Sequence, residues 1–123
     1  MEFRKNQTIY LQIADFICEN IIAEQWIKGD KIQSVREMAA TIQVNPNTVM
    51  RTYSHLQDLG IIFNQRGIGY FVADDALQKT KELKKEAFIK EYLPDVFKTM
   101  DLLDIDFEDL KVLYKQRKNG TPN

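Results

Sequence analysis

Three side chains in the middle of the chain, Asn47, Arg51 and Ser54, carry an amide, a guanidinium and a hydroxyl at spacings of four and three residues. On a helix that spacing places all three on one strip. Amides pair with adenine edges, a guanidinium takes guanine or phosphate, and a hydroxyl serves either. A strip with these groups therefore has the chemistry of a duplex-DNA contact. The helix it needs is predicted from Asn45 to Gly60, NPNTVMRTYSHLQDLG. Asn45 is a good N-cap, Pro46 suits the first helical position, and Gly60 suits the left-handed residue past the end. Val49, Tyr53 and Leu56 form the inward stripe. With Val49 at 0°, Asn47, Arg51 and Ser54 fall between about 140° and 200°, away from the core. An ordinary amphipathic helix shows the same pattern, so the segment suggests the contact without deciding it.

Other chemistries lack their residues. His55 is the only histidine and Cys18 the only cysteine, so no zinc-ligand set exists. No phosphate-cradling GxxxxGK[ST] loop occurs. The carboxylates Asp101, Asp104, Asp106, Glu108 and Asp109 lack the EF-hand order and read as helix caps and solvated surface. An enzyme is not expected, nor is a cofactor or a metal site. No run of about 18 apolar residues occurs, and MEFRKNQ is not a secretory signal, so a cytoplasmic location without a membrane span is expected. Cys18 falls on a helical stripe and reads as a small core residue.

The elements that must position the strip follow in order. Tyr10, Ile13, Ile17 and Ile21, with Ala14, mark a helix over residues 9–25 opening at Gln7 or Thr8, with Trp26 and Ile27 folding back onto its core. Gly29-Asp30 is a turn, and residues 31–33 leave room for a very short strand. Ser34-Val35-Arg36-Glu37 is a capping box that opens a helix to about Ile42. Gln43-Val44 then separates it from the Asn45 helix, as in a helix-turn-helix. Ile61-Ile62-Phe63 and Tyr70-Phe71-Val72 flank a glycine-containing loop, a hairpin signature. The predicted fold is mainly α with a small β-hairpin: a winged helix-turn-helix over residues 1–73. Arg66 at the hairpin tip suits phosphates or the minor groove, and Gly67 and Gly69 let the backbone approach closely.

From Asp74 the composition shifts to helices with alternating charge. One is predicted to run from the Asp74-Asp75 cap to about Leu93, with Ala76, Thr80, Leu83, Ala87 and Phe88 inward, until Pro94 breaks or kinks it. A short helix over 95–103 follows, then a last one capped by Asp106 with Phe107, Leu110 and Tyr114 on its apolar stripe. Residues 119–123 are expected to be disordered. Residues 74–123 are too few to bury Leu83, Ala87, Phe88, Phe97, Met100, Phe107, Leu110 and Tyr114 by themselves, so they are expected to form a dimerisation segment. Packing against the first helix of the same chain is the other outlet for these faces.

The charge balance constrains the partner. Residues 1–73 hold seven basic and seven acidic side chains, so no polybasic footprint exists. DNA affinity must then come from a few placed cations and from two copies acting together. A winged helix used as a protein-interaction module is the rival reading, and near-neutral charge allows it.

Taken together, TIYLQIADFI, GDKIQSVREMAATIQVNPNTVMRTYSHLQDLGII and QRGIGYFV resemble the GntR family of bacterial transcriptional regulators over residues 8–73. The short helical tail resembles its YtrA-like subfamily. The resemblance implies a homodimeric repressor on a two-fold DNA operator. It also implies DNA contacts from Arg36 in SVRE, from Asn45, Asn47 and Thr48 at the start of the recognition helix, and from Arg66 and Gly67 in the wing. With Ser34 of the capping box, Arg51 of the exposed strip and Gly69 of the loop, these make up the expected DNA-binding set. Gln33 stands where the family usually has proline, Gln43 where it often has glycine, and Met50 where many members carry a base-reading arginine. No residue identifies a small-molecule effector, an operator sequence or a regulated gene.

Overall fold

A computed structural model describes residues 7–119. The chain divides into two compact units, the first running to Leu83 and the second starting at Lys84.

In the first unit, α1 (Ile9–Ile22) buries Ile13, Ala14, Ile17, Cys18 and Ile21, the predicted stripe with Cys18 in the core. It stops three residues short of the expected end at residue 25. Glu24 turns left-handed (φ +57°), and the N–H groups of Gln25 and Trp26 both donate to Asn20 O, at 2.9 and 3.2 Å. That turn carries Trp26 back onto the core, its ring edge-on to Phe16 at 6.2 Å. Ile27 does not follow it and is 53% exposed, correcting the expectation of core packing. Its N–H donates to the Asp30 carboxylate (2.9 Å) and its carbonyl accepts from Asp30 N–H (3.0 Å), a tight turn that leaves the side chain outside. The short strand expected at 31–33 reduces to one bridge, Lys31 opposite Phe71.

α2 (Val35–Ile42) opens on the predicted capping box. Ser34 Oγ accepts from Glu37 N–H at 3.1 Å, and Glu37 Oε1 accepts from Ser34 N–H at 2.9 Å. It closes on Gln43, which adopts φ +58°. α3 (Pro46–Asp58) starts at Asn45, whose Oδ1 accepts from Asn47 N–H at 2.7 Å. Its end is the expected left-handed glycine: Gly60 (φ +75°) donates to Gln57 O and Ile61 donates to Leu56 O, the two bonds of a Schellman motif. β1 (Ile62–Gln65) and β2 (Gly69–Val72) pair antiparallel with Ile62 opposite Val72 and Gln65 opposite Gly69.

Two neighbouring hydroxyls fix α3 in this frame. Thr52 and Tyr53 are fully buried. Thr52 Oγ1 donates to Tyr10 O of α1 at 2.8 Å, and Tyr53 Oη donates to Gln33 O at 2.7 Å. The Tyr53 ring also meets Tyr70 of β2 edge-on at 4.8 Å, tying helix to wing. α4 (Ala76–Ala87) adds to the same unit through its first turns, where Ala76 and Thr80 are buried as expected and Leu77 packs on the core. Leu83 and Phe88, expected to face inward, are exposed in the single chain.

In the second unit the helical ladder passes through a π turn at Phe88–Tyr92 into α5 (Leu93–Leu102). Pro94 has no N–H to give the carbonyl four residues back, and its ring crowds that carbonyl. The widened turn accommodates both, with Leu93 N–H reaching Phe88 O five residues back. The expected break at Pro94 is thus a π turn, and the following helix begins at Leu93. α6 (Phe107–Lys118) opens on the expected Asp106 cap, a box closed by Asp109. The disorder expected at 119–123 falls, beyond Asn119, outside the described residues.

Two stability predictions follow from this geometry. Gln43→Gly should stabilise the fold by about 0.5–1 kcal/mol, because relief of left-handed strain exceeds the added freedom of the unfolded glycine. Urea denaturation measures it, and a loss of stability would show that the Gln43 side chain holds the turn. Tyr53→Phe should cost about 0.5–1.5 kcal/mol by removing the hydrogen bond to Gln33 O, which lies on an exposed residue. Burial, then the neighbouring Tyr70 and Glu37, hold the Tyr53 phenol well above the usual tyrosine range. A raised folded-state pKa means this contribution is whole below the ordinary tyrosine value and is lost as pH rises beyond it. The gap between wild type and Tyr53→Phe should therefore narrow in alkaline denaturation series.

Candidate nucleic-acid interface

The exposed side of α3 is decided by what its buried side does. Val49, Thr52, Tyr53 and Leu56 are buried, so Asn47, Met50, Arg51 and Ser54 emerge at the surface. Asn45 uses its carboxamide oxygen on the Asn47 N–H, which holds the first turn and leaves the exposed Asn47 side chain at the helix start. Thr48 is half-buried, its N–H donating to Asn45 O at 2.9 Å and its carbonyl accepting from Thr52 Oγ1 at 3.1 Å. Met50 is 46% exposed and presents an apolar thioether where a charged reader could stand.

Arg51 takes a different direction from the strip expected for it. Its guanidinium carbon lies 3.9 Å above the centre of the Tyr10 ring, on the flank where α1 packs. His55 meets the same ring edge-on at 5.9 Å. The front of the helix therefore consists of Asn47, Met50 and Ser54, with Arg51 drawn to one side.

At the start of α2, the capping box holds Ser34 and Glu37 against each other and leaves Arg36 exposed in the first turn. The Ser34 N–H, then its hydroxyl, hold the Glu37 carboxyl below its usual range, and Lys31 adds to this. The box is therefore complete at neutral pH and is lost only as pH falls through that lowered value.

The wing tip is Arg66-Gly67-Ile68, with Ile68 N–H donating to Gln65 O at 2.9 Å. Arg66 is exposed and Ile68 is 52% exposed. Gly67 takes φ +80° with open space where a Cβ would sit, so glycine is favoured there by conformation and not by lack of room. At Gly69 (φ +142°) a Cβ would meet Lys31 Cε at 3.0 Å. Lys31 thus adds a cation beside Gly69, next to the wing tip, and neither Lys31 nor Tyr10 stood in the expected set. Lys31 was hidden because the bridge that sets it opposite Phe71 is 40 positions long.

A model of the family described as bacterial regulatory proteins, gntR family, matches residues 9–72. The chain belongs to the GntR family. It is also 41% identical over 109 residues to the HTH-type transcriptional regulator YhcF of Bacillus subtilis, covering 89% of this chain and 88% of that one. The HTH-type transcriptional repressor YtrA of the same organism is 34% identical over 113 residues, covering 92% of this chain and 86% of that one. A structure described as a GntR-family transcriptional regulator from Bacteroides thetaiotaomicron superposes with a TM-score of 0.80 at 40% identity, over 94% of this chain and 100% of that one. The similarity thus continues through the helical tail. This GntR protein is a transcriptional regulator with a winged helix-turn-helix DNA-binding fold, and the family is one of regulators rather than enzymes. Among the described residues, no helix is long and apolar enough to cross a membrane.

The Met50 position gives a direct test of the front. Methionine can touch a thymine methyl but has no donor for guanine O6 and N7. Met50→Arg is expected to raise the preference for guanine at one base step by about 1–3 kcal/mol. Competition binding with single-base variants of a bound DNA fragment measures this, and unchanged preference at every position would remove Met50 from the base-facing surface.

Proposed function

We propose that this GntR regulator is a cytoplasmic repressor that binds a two-fold operator as a homodimer, with α3 in the major groove and the wing on the adjacent backbone or minor groove. The observation that carries the reading is the arrangement of α3. Its back is locked by Thr52 and Tyr53, while Asn47, Met50 and Ser54 stand exposed beyond a capped first turn. Arg36, Arg66 and Lys31 supply the cations around it, and Ser34, Thr48, Gly67 and Gly69 bring main chain close to phosphate. Repression accords with the printed name of YtrA, similar along most of its length.

Dimerisation rests on the tail. Leu83 is exposed in the first unit; in the second, Phe88, Phe97, Leu110 and Tyr114 are exposed, and Phe107 is 68% exposed, while Ala87 and Met100 are half-buried. Apolar faces on this scale mark an interaction surface. A second copy covers them with closed symmetry and sets two recognition helices about one turn of DNA, roughly 34 Å, or a multiple of it, apart. Two copies also answer the charge balance, since each winged helix carries as many acidic as basic groups.

The near-neutral charge equally suits a protein-docking winged helix, and the salt dependence of duplex binding separates the two. Binding through phosphates weakens steeply as salt displaces the counterion-release gain, whereas protein docking leaves duplex DNA unbound at any salt. On the DNA reading, Arg36→Ala and Arg66→Ala each weaken cognate and unrelated duplexes alike. Asn47→Ala instead narrows the difference between cognate and variant sequences by about 1–3 kcal/mol. Equal losses on cognate and scrambled DNA would remove Asn47 from the readout.

The tail is tested separately. Chain ending at Leu83 is expected to remain folded and monomeric and to lose most operator affinity, as sedimentation and a binding titration of both lengths would show. A monomeric full-length chain, or a truncation that binds as tightly, assigns the tail another role.

A further inference from the structure

We propose that Tyr10 is a positioning residue that holds Arg51 as a phosphate clamp on the flank of α3, outside the base-reading front. The inference rests on the DNA-binding reading above and assigns the division of labour within it.

Helical geometry alone aims the Arg51 Cβ outward beside Asn47, where a guanidinium would reach base edges. The side chain instead lies flat on Tyr10, 3.9 Å from the ring centre to the guanidinium carbon, close contact for a cation over an aromatic face. The ring is itself held. Tyr10 O accepts the buried Thr52 hydroxyl at 2.8 Å, which fixes the start of α1 against α3, and His55 braces the ring edge-on from one turn further along. Arg51 remains exposed, so the stack orders the guanidinium without burying it or satisfying its N–H donors.

That placement selects the partner. A recognition helix lying in the major groove has base edges before its front and a phosphate backbone along each flank, with the preceding helices crossing the backbone. A planar guanidinium on the α1 flank matches the geometry of a phosphate and is turned from the base edges. Stacking removes rotamer freedom before DNA arrives, so less is lost on contact. Ring-stacked Arg51 thus contributes affinity without sequence preference, and discrimination is left to Asn47, Met50 and Ser54.

The test uses the full chain and duplex DNA. In the free protein, the Arg51 side-chain proton resonances should be shifted upfield by the Tyr10 ring, and Tyr10→Leu should abolish that shift. Arg51→Ala should weaken cognate and scrambled duplexes by the same factor and reduce the salt slope by about one per chain, with base preferences unchanged. Tyr10→Leu should weaken both duplexes about two- to fivefold per chain with the salt slope retained, and should have no effect in the Arg51→Ala background. Tyr10→Phe should bind as wild type, and Arg51→Lys should keep the slope while losing the benefit of the stack. Thermal melting shows whether Tyr10→Leu is folded; if it is not, the Tyr10→Phe and Arg51→Lys pair decides. Additive losses, an altered base preference in Arg51→Ala, or an unshifted Arg51 resonance would overturn the proposal. Wild-type chain that shifts the resonance but binds no duplex at low salt overturns the DNA reading itself, and the phosphate clamp with it.

Discussion

The orientation of α3 depends on two hydrogen bonds made by adjacent residues. Thr52 and Tyr53 lie on either side of the buried stripe, and each donates to a main-chain carbonyl of a different segment, Tyr10 O and Gln33 O. Apolar packing by Val49 and Leu56 supplies attraction, but it is non-directional and tolerates small rotations and slides. A hydrogen bond is less tolerant, since it holds only over a narrow range of distance and angle. The pair therefore sets the helix angle, and with it the direction in which Asn47, Met50 and Ser54 leave the surface. The Tyr53 ring extends the constraint to the wing through Tyr70. A fold of this size can thus hold an exposed helix face steady with few polar contacts.

What could be read from the chain beforehand was mostly what local chemistry determines. Ser34 with Glu37, Asn45 with Pro46, Gly60, and Asp106 each announce a helix end through a bond made within a few residues, and each end is found there. One misplaced boundary, the end of α1, has no such signal. Glu24 turns left-handed although it is not glycine, because the turn brings Trp26 back onto a core built by distant segments. Pro94 shows the same limit from the other side. Proline forbids one hydrogen bond, but whether the chain breaks or widens into a π turn depends on the carbonyls around it.

The candidate site divides along the same line. The exposed position of Asn47 and Ser54 follows from the period of the buried stripe and was legible from it, whereas Met50 entered only through the resemblance. Arg51 was not, since a helical wheel gives the direction of Cβ and not the path of a long, flexible side chain. Its course is set by Tyr10, 41 positions earlier, and nothing in the spacing of α3 betrays that ring. Lys31 is a parallel case, brought to Gly69 by a strand pairing too short to show as periodicity.

The charge balance then bears on how such a regulator would work. A strongly basic winged helix would hold any duplex through phosphates and would need many base contacts to discriminate above that background. Here the winged-helix residues carry equal numbers of acidic and basic groups, so the non-specific term is small and a few cations must be well placed. On the DNA reading proposed above, weak non-specific binding leaves a larger share of the total to Asn47, Met50 and Ser54. It also leaves each half-site weak, and on the homodimer reading the second copy restores affinity through effective concentration rather than through charge. Dimerisation and operator binding are then thermodynamically linked: whatever favours pairing of the apolar tail faces raises operator affinity, and operator binding in turn favours pairing. The exposed tail of the single chain and the neutral charge of its winged helix are, on that reading, two consequences of one design constraint, affinity that exists only in the pair.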